Sequence, residues 1–303
     1  MKKIAVLVSD NLLPGGEDTR EDVFELDEEM GKIIPAFAAL DMEASLVRWR
    51  EAAARAGDFD AMLPLFVWDY FEGNETAFLA EMAKASKLTK IFNTVDVLEW
   101  NANKSYLGEL AGHGAPVIET VTLDRVTNAG VAKAFETLGT DEVVIKPQVG
   151  GGAWRQVLYT KGDPFPDRSE LPPEEAMVQA FLPSVQSEGE YSFLFFGGQF
   201  SHGLVKRPKD GDYRIQSLYG GTEEVYAPTA SERESARLVL DTLDFTPLYA
   251  RVDLLRGLDG RLKLIELEMI EPYLYLPYAD GEGGENTGAL KLGRALLKRL
   301  SAE

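Results

Sequence analysis

Arg251, Asp253, Glu266 and Glu268 lie in the segment 249–272, YARVDLLRGLDGRLKLIELEMIEP, on two alternating runs that flank Asp259-Gly260. That dipeptide favours a two-residue hairpin turn. Such a turn sets Asp253 opposite Glu266 and Arg251 opposite Glu268. The period of two then puts all four on one face of the sheet. Val252, Leu254, Ile265 and Leu267 take the other face. Directly opposed side chains stand roughly 5 Å apart at Cβ, so three carboxylates gathered there repel one another. Oxygen-only ligands of this kind suit Mg²⁺, usually shared with phosphates. The plain alternative is a solvated charged face on an ordinary hairpin.

A second cluster of chemistry lies upstream. Residues 143–154 read VVIKPQVGGGAW. Lys146 ends an apolar strand, and Gly150, Gly151 and Gly152 let backbone N–H groups turn around an anion. No Lys-Ser or Lys-Thr closes the loop and the next element reads as strand, so it is neither a Walker loop nor a dinucleotide fingerprint. A glycine hairpin folding over phosphates fits better; a surface turn is the bland reading. Residues 177–207 hold a short apolar strand and an acidic turn with Glu188 and Glu190. Backbone groups of such a strand can read an adenine edge, and a carboxylate can accept ribose hydroxyls. Residues 211–221, GDYRIQSLYGG, carry Arg214 in an irregular loop of the kind that often holds functional groups. An arginine there can stabilise charge on a transferred phosphoryl group.

These residues need elements to hold them. Residues 3–8, 44–47 and 61–67 read as strands, with helices over 28–40 and 75–85. The acidic stretch 17–29 reads as a loop entering the first helix. Strands alternating with helices predict a small parallel α/β unit that ends near 91–93. Helices follow at 103–110, 131–138, 230–243 and 287–300. Residues 116–119 are extended. Strands are expected at 142–146, 157–160, 177–181, 191–196 and 200–206, mostly antiparallel, and the Pro-rich loop 162–173 reads as a subdomain connection.

Composition bounds the function. The chain has 303 residues, 45% of them hydrophobic, so it can bury a sizeable core. A net charge of −19 disfavours nucleic acid and anionic membrane as partners. Without cysteine there is no disulfide or thiolate nucleophile, which fits a cytoplasmic protein. His113 and His202 alone cannot build a multi-histidine metal site. The run 4–8 is too short for a signal peptide, and no stretch approaches the ~20 apolar residues of a membrane span. No G-x-G-x-x-G follows the first strand, which argues against a nicotinamide dehydrogenase.

The order of parts from Asn101 to Pro272 resembles the ATP-grasp superfamily, in its prokaryotic glutathione synthetase-like branch. The stretch VQAFLPS…GEYSFLFFGGQFSHGLVKRPKDGDYRIQSLYGG carries most of the likeness. FVWDYFEGN and EWNANKSYL are similar to a subgroup that includes O-ureido-serine cyclo-ligases. The resemblance implies an α/β fold with α+β elements: a parallel pre-ATP-grasp domain over 1–95, then an ATP-grasp domain over 96–303 with antiparallel sheets, in subdomains of about 96–175 and 176–303. It implies that Lys104 and Lys146 contact ATP phosphates and that Gln179, Ala180, Phe181 and Leu182 hold adenine. Glu190, in preference to Glu188, takes the ribose. Asp253, Glu266 and Glu268 bind Mg²⁺, for which Mn²⁺ substitutes. Arg214 and Arg251 stand near the transferred phosphoryl group, and Lys206 stands where relatives carry arginine. Glu268 replaces the usual asparagine, a departure that bears on substrate more than on ATP chemistry.

The implied function is an ATP-dependent ligase that joins small carboxylate and amine substrates through an acyl phosphate, ring closure within one molecule included. A homodimer is the family-level expectation. Asp69 and Tyr70 are further candidates for the acceptor site, against a plain strand-to-helix turn. A nucleotide-binding regulatory protein without turnover, and a phosphotransferase without ligation, are the competing classes.

Overall fold

The computed structural model describes residues 1–13, 19–280 and 284–301. The acidic stretch 17–29 therefore falls partly outside the described residues, at 17 and 18. Strands β1 (Lys2–Val8), β2 (Met42–Arg48), β3 (Ala61–Phe66) and β4 (Lys90–Ile91) form a parallel sheet in the order β2-β1-β3-β4. Ile4 to Val8 are fully buried, as expected for a parallel strand covered on both faces. Helices Phe24–Ala38 and Glu75–Ala85 supply the crossovers.

Two antiparallel sheets follow. Strands β5 (Thr120–Leu123), β6 (Glu142–Pro147), β7 (Val157–Thr160) and β8 (Ala176–Ala180) are ordered β5-β8-β6-β7. Strands β9 (Glu190–Phe196), β10 (Gln199–Arg207), β11 (Thr222–Val225), β12 (Tyr249–Arg256) and β13 (Leu262–Glu268) are ordered β11-β10-β9-β12-β13. The loop 162–173 connects β7 to β8 inside one sheet, so it is not the subdomain connection. Because β8 pairs with β5 and β6, the crossing between sheets comes after Ala180, not at 175/176. Pairing partners, invisible in the local sequence, decide this point.

The hairpin register is as expected, but its turn is not. Arg251 pairs with Glu268 and Asp253 with Glu266. Nearer the turn Leu254 pairs with Leu264, so Ile265 is an extra residue in β13. The amide of Gly257 bonds the Arg261 carbonyl at 2.9 Å, and Gly260 sits at φ 77°. The loop is thus the longer form that ends on a left-handed glycine, one residue more than the two-residue turn. The bulge at Ile265 absorbs the difference and restores the register at the carboxylates. It also turns Ile265 away from Val252, Leu254 and Leu267, whose core receives Leu264 in its place.

β13 is a sheet edge, and the chain covers it. The Pro116 carbonyl accepts from Leu264 N–H at 2.7 Å, and Ile118 N–H bonds the Leu264 carbonyl at 3.0 Å. Asn101 Nδ2 bonds the Leu267 carbonyl, and Asn101 Oδ1 accepts from Met269 N–H, both at 2.8 Å. The Tyr106 hydroxyl bonds both backbone groups of Leu267 at 3.0 Å. An unpaired edge is thereby satisfied by side chains. Asn101 belongs to a helix, Val95–Asn101, which the weak periodicity of that segment hid, and the next helix is Tyr106–Gly112.

The parallel sheet does not pack alone. Helix Thr287–Ser301 lies against helix Phe24–Ala38, with Leu292 and Leu296 in one core with Ile4, Val6, Phe37 and Tyr249. Buried Asn93 bonds the Tyr249 and Met269 carbonyls at 2.9 and 2.8 Å and the Leu248 amide at 2.6 Å. The N-terminal unit is thus pinned to both strands of the hairpin. Among the described residues no helix is long and apolar enough to cross a membrane.

Two predictions follow from these contacts. Asn101→Ala leaves the buried Met269 N–H unpaired and removes one of the two donors to the Leu267 carbonyl. It should cost about 3 kcal/mol in urea unfolding at unchanged slope, and an unchanged midpoint would show that the clamp is dispensable. The second concerns Glu29, which is fully buried with Oε2 unpartnered while Oε1 accepts from Leu276 N–H at 2.9 Å. Burial raises its pKa to about 8. Below pH 4.5, its ordinary value, both folded and unfolded states are protonated and the residue is neutral to stability. Above that, the unfolded carboxylate ionises while the folded one keeps its proton, so stability falls until about pH 8. Glu29→Gln should therefore raise the Tm at pH 8 but not at pH 4; equal shifts at both would contradict it.

Candidate active site

A cavity of about 260 Å³ lies between the three sheets. All of Lys104, Lys146, Gly150, Gly151, Gly152, Gln179, Ala180, Phe181, Leu182, Glu190, Lys206, Arg214, Arg251, Asp253, Glu266 and Glu268 line it. Segments as distant as residues 104 and 268 meet because β12 and β13 form its floor, while β6, β8 and the glycine loop form its roof.

The floor is a buried ion-pair array. The Arg251 guanidinium bonds Asp253 at 3.0 Å and also Glu268. Ser192, cross-strand from Asp253 on β9, donates its hydroxyl to the same carboxylate. Lys206, cross-strand from Glu190, bonds it at 2.6 Å and stands 3.6 Å from Asp253. Lys104 reaches Glu266 at 3.0 Å and the Gly150 carbonyl at 2.5 Å. Arg251, Lys206 and Asp253 are each less than 9% exposed, so the charges are only tolerable together. Burial first, and then the neighbouring Glu266 and Asp253, raise the Glu268 carboxyl to about 7 against the pull of Arg251. Burial works against the Lys104 charge, but Glu266, with Glu268 and Glu271 behind it, more than offsets it and the pKa rises. Lys146 differs: burial lowers its pKa, and it makes no ion pair among the described residues. It is a cation poised for an anion that the protein does not supply.

The roof is strained where the glycines lie. Gly150 and Gly152 sit at φ 156° and 58°, and Ala153 and Arg155 follow in the left-handed region at 59° and 53°. A Cβ at Gly151 would stand 3.1 Å from the Phe71 ring, so any larger residue would have to push that ring back by a few tenths of an ångström. Arg155 holds the loop through the carbonyls of Ser169 and Leu171.

Ile118, Leu182, Val185, Ile215 and Leu255 form a small apolar cluster, with Phe181, Tyr213 and Ile265 packed on it. All eight line the cavity, making a slot suited to a flat aromatic base. Sequence reasoning found Phe181 and Leu182 and missed the others, because single apolar residues spread from 118 to 265 carry no shared period. Arg214 stands near the rim, clasped by Asp212 at 2.7 Å and stacked 3.8 Å over Tyr219. Glu188 does not reach the cavity; Arg256 holds it at 2.6 Å and the Tyr191 hydroxyl at 2.9 Å.

Asp69 is not in the cavity. Its carboxylate accepts from Trp49 Nε1 at 2.7 Å in the core of the N-terminal unit. Tyr70 is buried behind the cavity, edge-on to Phe71. The N-terminal unit instead contributes Arg20, Asp22, Glu25, Trp68 and Phe71, joined by Glu271, Tyr273 and Tyr275 from the run after β13. That run, IEPYLYLPY, directly follows the carboxylate strand, a placement that could have marked it.

Asp253, Glu266 and Glu268 offer oxygen donors only, with no cysteine or histidine competing, which is the donor set of Mg²⁺. Among the described residues no three carboxylates converge on one point, because Arg251 and Lys104 stand between them. The donors fit the ion by chemistry, and the two cations occupy the positions that it would neutralise.

A family model described as the N-terminal domain of D-cycloserine synthetase DcsG matches residues 4–93. The cycloserine biosynthesis protein DcsG of Streptomyces lavendulae is 27% identical over 297 residues, covering 91% of this chain and 95% of that one. The crystal structure of D-cycloserine synthetase DcsG superposes with a TM-score of 0.80 at 24% identity, covering 99% of this chain and 100% of that one. A D-alanine–D-alanine ligase from Bacillus anthracis gives 0.66 at 16% identity, over 99% of each chain. The ATP-grasp ligase PsnB gives 0.64 at 17%, over 98% of each. A parallel N-terminal sheet followed by two antiparallel sheets gives the chain the fold of these ligase structures, the ATP-grasp ligase PsnB among them.

Proposed function

We propose that this protein is an ATP-dependent carboxylate–amine ligase working through an acyl phosphate on a small amino-acid-like substrate. The observation that carries the reading is one cavity that joins an apolar slot, the unpaired Lys146 and a buried carboxylate row. Similarity to D-cycloserine synthetase along nearly the whole chain favours ring closure within one molecule as the form of the ligation. The division at about residue 95, a homodimer and a cytoplasmic location are proposed with it.

In this reading the adenine lies in the slot of Leu182, Ile118 and Ile265, and Glu190 faces the ribose. Lys104 and Lys146 take the phosphates under the glycine loop. A bound Mg²⁺ would be held by Asp253, Glu266 and Glu268 and would neutralise charge on the phosphates. The substrate carboxylate attacks the γ-phosphorus and ADP leaves. A neutral nitrogen then attacks the acyl carbon, phosphate departs with the bonding pair, and the nitrogen gives up a proton. Arg214 and Arg251 hold the migrating negative charge, with Lys206 keeping Asp253 ionised. No step needs a covalent protein nucleophile. Most of the catalysis is positioning and charge neutralisation.

Lys146→Ala should weaken ATP binding at least tenfold by calorimetry with little loss of fold, because the side chain makes no internal ion pair. Unchanged affinity would remove its role. Arg214→Ala should lower kcat by about 10²–10³ with much less effect on ATP affinity. Equal losses in both would make it a simple binding residue. A panel of small amino acids with Mg²⁺-ATP, read by ADP release and product mass, tests the reaction class. Loss of water from the substrate mass supports ligation, phosphorylated product alone supports a phosphotransferase, and nucleotide binding without ADP release supports a regulatory protein.

A further inference from the structure

Three tyrosines stand in the run after β13, and two of their hydroxyls are engaged. The Tyr273 hydroxyl donates to Glu28 at 2.9 Å and the Tyr278 hydroxyl to Glu223 at 3.0 Å. Tyr275 lines the cavity and is 6% exposed, yet its hydroxyl makes no hydrogen bond among the described residues. A buried phenol usually finds a partner. The charged groups that act on this one are Arg251 first, then Glu223, Asp253 and Glu25, and all of them line the cavity. The Tyr275 ring lies 5.7 Å from the Arg251 guanidinium. Burial raises the phenol well above its ordinary value, so it keeps its proton and can donate.

The backbone singles out the same residue. Tyr275 has φ 52° and ψ 37°, the left-handed region, which a residue with a side chain keeps only when its surroundings impose it. Two buried groups impose it here, one on each neighbouring peptide. The Leu274 carbonyl accepts from Nε2 of His202, on β10, at 2.9 Å. The Leu276 amide donates to Glu29, on helix Phe24–Ala38, at 2.9 Å. Burial lowers the His202 pKa to about 4, so the ring is neutral. A carbonyl only accepts, so the proton sits on Nε2 and Nδ1 accepts from the Ser201 hydroxyl. The rings of Tyr273 and Tyr278 flank that of Tyr275 edge-on, at 4.5 and 5.8 Å. A strained turn, clasped on both sides, thus delivers one side chain to the cavity, and that side chain ends in a hydroxyl without a partner.

We propose that Tyr275 is a further catalytic residue, whose hydroxyl donates a hydrogen bond to the reacting carboxyl group of the substrate beside the Arg251 guanidinium. The oxygen it holds is the one that does not receive the phosphoryl group. When the nitrogen adds to the acyl carbon, the C=O electron pair moves onto that oxygen. The pair returns to the carbon as phosphate departs with its own bonding pair, and the nitrogen gives up a proton. Tyr275 keeps its proton throughout and acts as a fixed donor aimed where negative charge develops. His202 and Glu29 are positioning residues that act through the two peptides around it. The inference rests on the ligase reading for the reaction, but the contact with the carboxyl group is tested by binding.

Tyr275→Phe removes the hydroxyl and keeps the ring, its aromatic contacts and the turn. Calorimetry on the protein with Mg²⁺ and a non-hydrolysable ATP analogue compares small amino acids, in either hand, each with its own carboxamide. In the unaltered protein at least one acid should bind at least tenfold more tightly than its amide. Tyr275→Phe should cut that preference about tenfold, as expected for one lost hydrogen bond to a charged group, with analogue affinity and Tm unchanged. On the same acid its kcat, read by ADP release, should fall about 10²-fold, more than KM rises. No acid preferred over its amide, a preference retained in Tyr275→Phe, an equal loss for acid and amide, or an unchanged kcat would each overturn the proposal. Failure of the ligase reading looks different: the preference and its loss in Tyr275→Phe are both seen, yet the unaltered protein consumes no ATP.

Discussion

The structure depends on a row of buried carboxylates that the protein neutralises with its own cations. Asp253, Glu266 and Glu268 lie side by side on β12 and β13, where mutual repulsion at this depth would open the sheet. Arg251 answers it by bonding Asp253 and Glu268, Lys104 by bonding Glu266, and Lys206 by pairing with Glu190 beside Asp253. A buried pair of this sort contributes little net stability, but removing one partner is costly. The arrangement is thus better read as a site held ready than as a structural brace. A divalent ion would release Arg251 and Lys104 toward phosphate oxygens. In the proposed reading the same side chains would serve as counter-ions in one state and as ligand contacts in the other.

Everything around the row fixes its position. The amide of Asn101 and the hydroxyl of Tyr106 bond the exposed side of β13 next to the carboxylates. Asn93 ties the parallel sheet to the same hairpin. Lys104 sits between the two clamp residues, so the segment that secures the strand also delivers the lysine that faces it. The glycine loop approaches from the other side and touches the N-terminal unit at Phe71, where Gly151 allows a close approach. Three parts of the chain therefore share one cavity, and binding at either end must involve more than one of them.

Much of this was legible in the sequence, for physical reasons. Alternation along β12 and β13 fixed which residues share a face, and the cross-strand partners followed from it even though the turn is one residue longer than the dipeptide suggests. The compensating bulge at Ile265 left no sequence signal, so Ile265 was assigned to the wrong face. The order of lysines, glycines and carboxylates located the cavity through its family resemblance, helped because Lys146 and the carboxylates lie on strands that can be read locally. The apolar slot could not be read, since its members share no element. Glu25 was equally hidden: it lies on a helix whose charges look solvated until the fold turns it into the cavity. At Asp69 the plain alternative holds: its carboxylate binds Trp49 and Arg50 within the N-terminal unit.

The central claim is that the carboxylate row exchanges its internal cations for a metal and a nucleotide. A crystal structure with Mg²⁺ and a non-hydrolysable ATP analogue tests it most directly. The account predicts a metal ion on Asp253, Glu266 and Glu268, with Lys104 moved from Glu266 to a phosphate oxygen and the base against Leu182 and Ile265. A nucleotide bound elsewhere, or bound here with Lys104 and Arg251 still paired to their carboxylates and no ion between them, would contradict it.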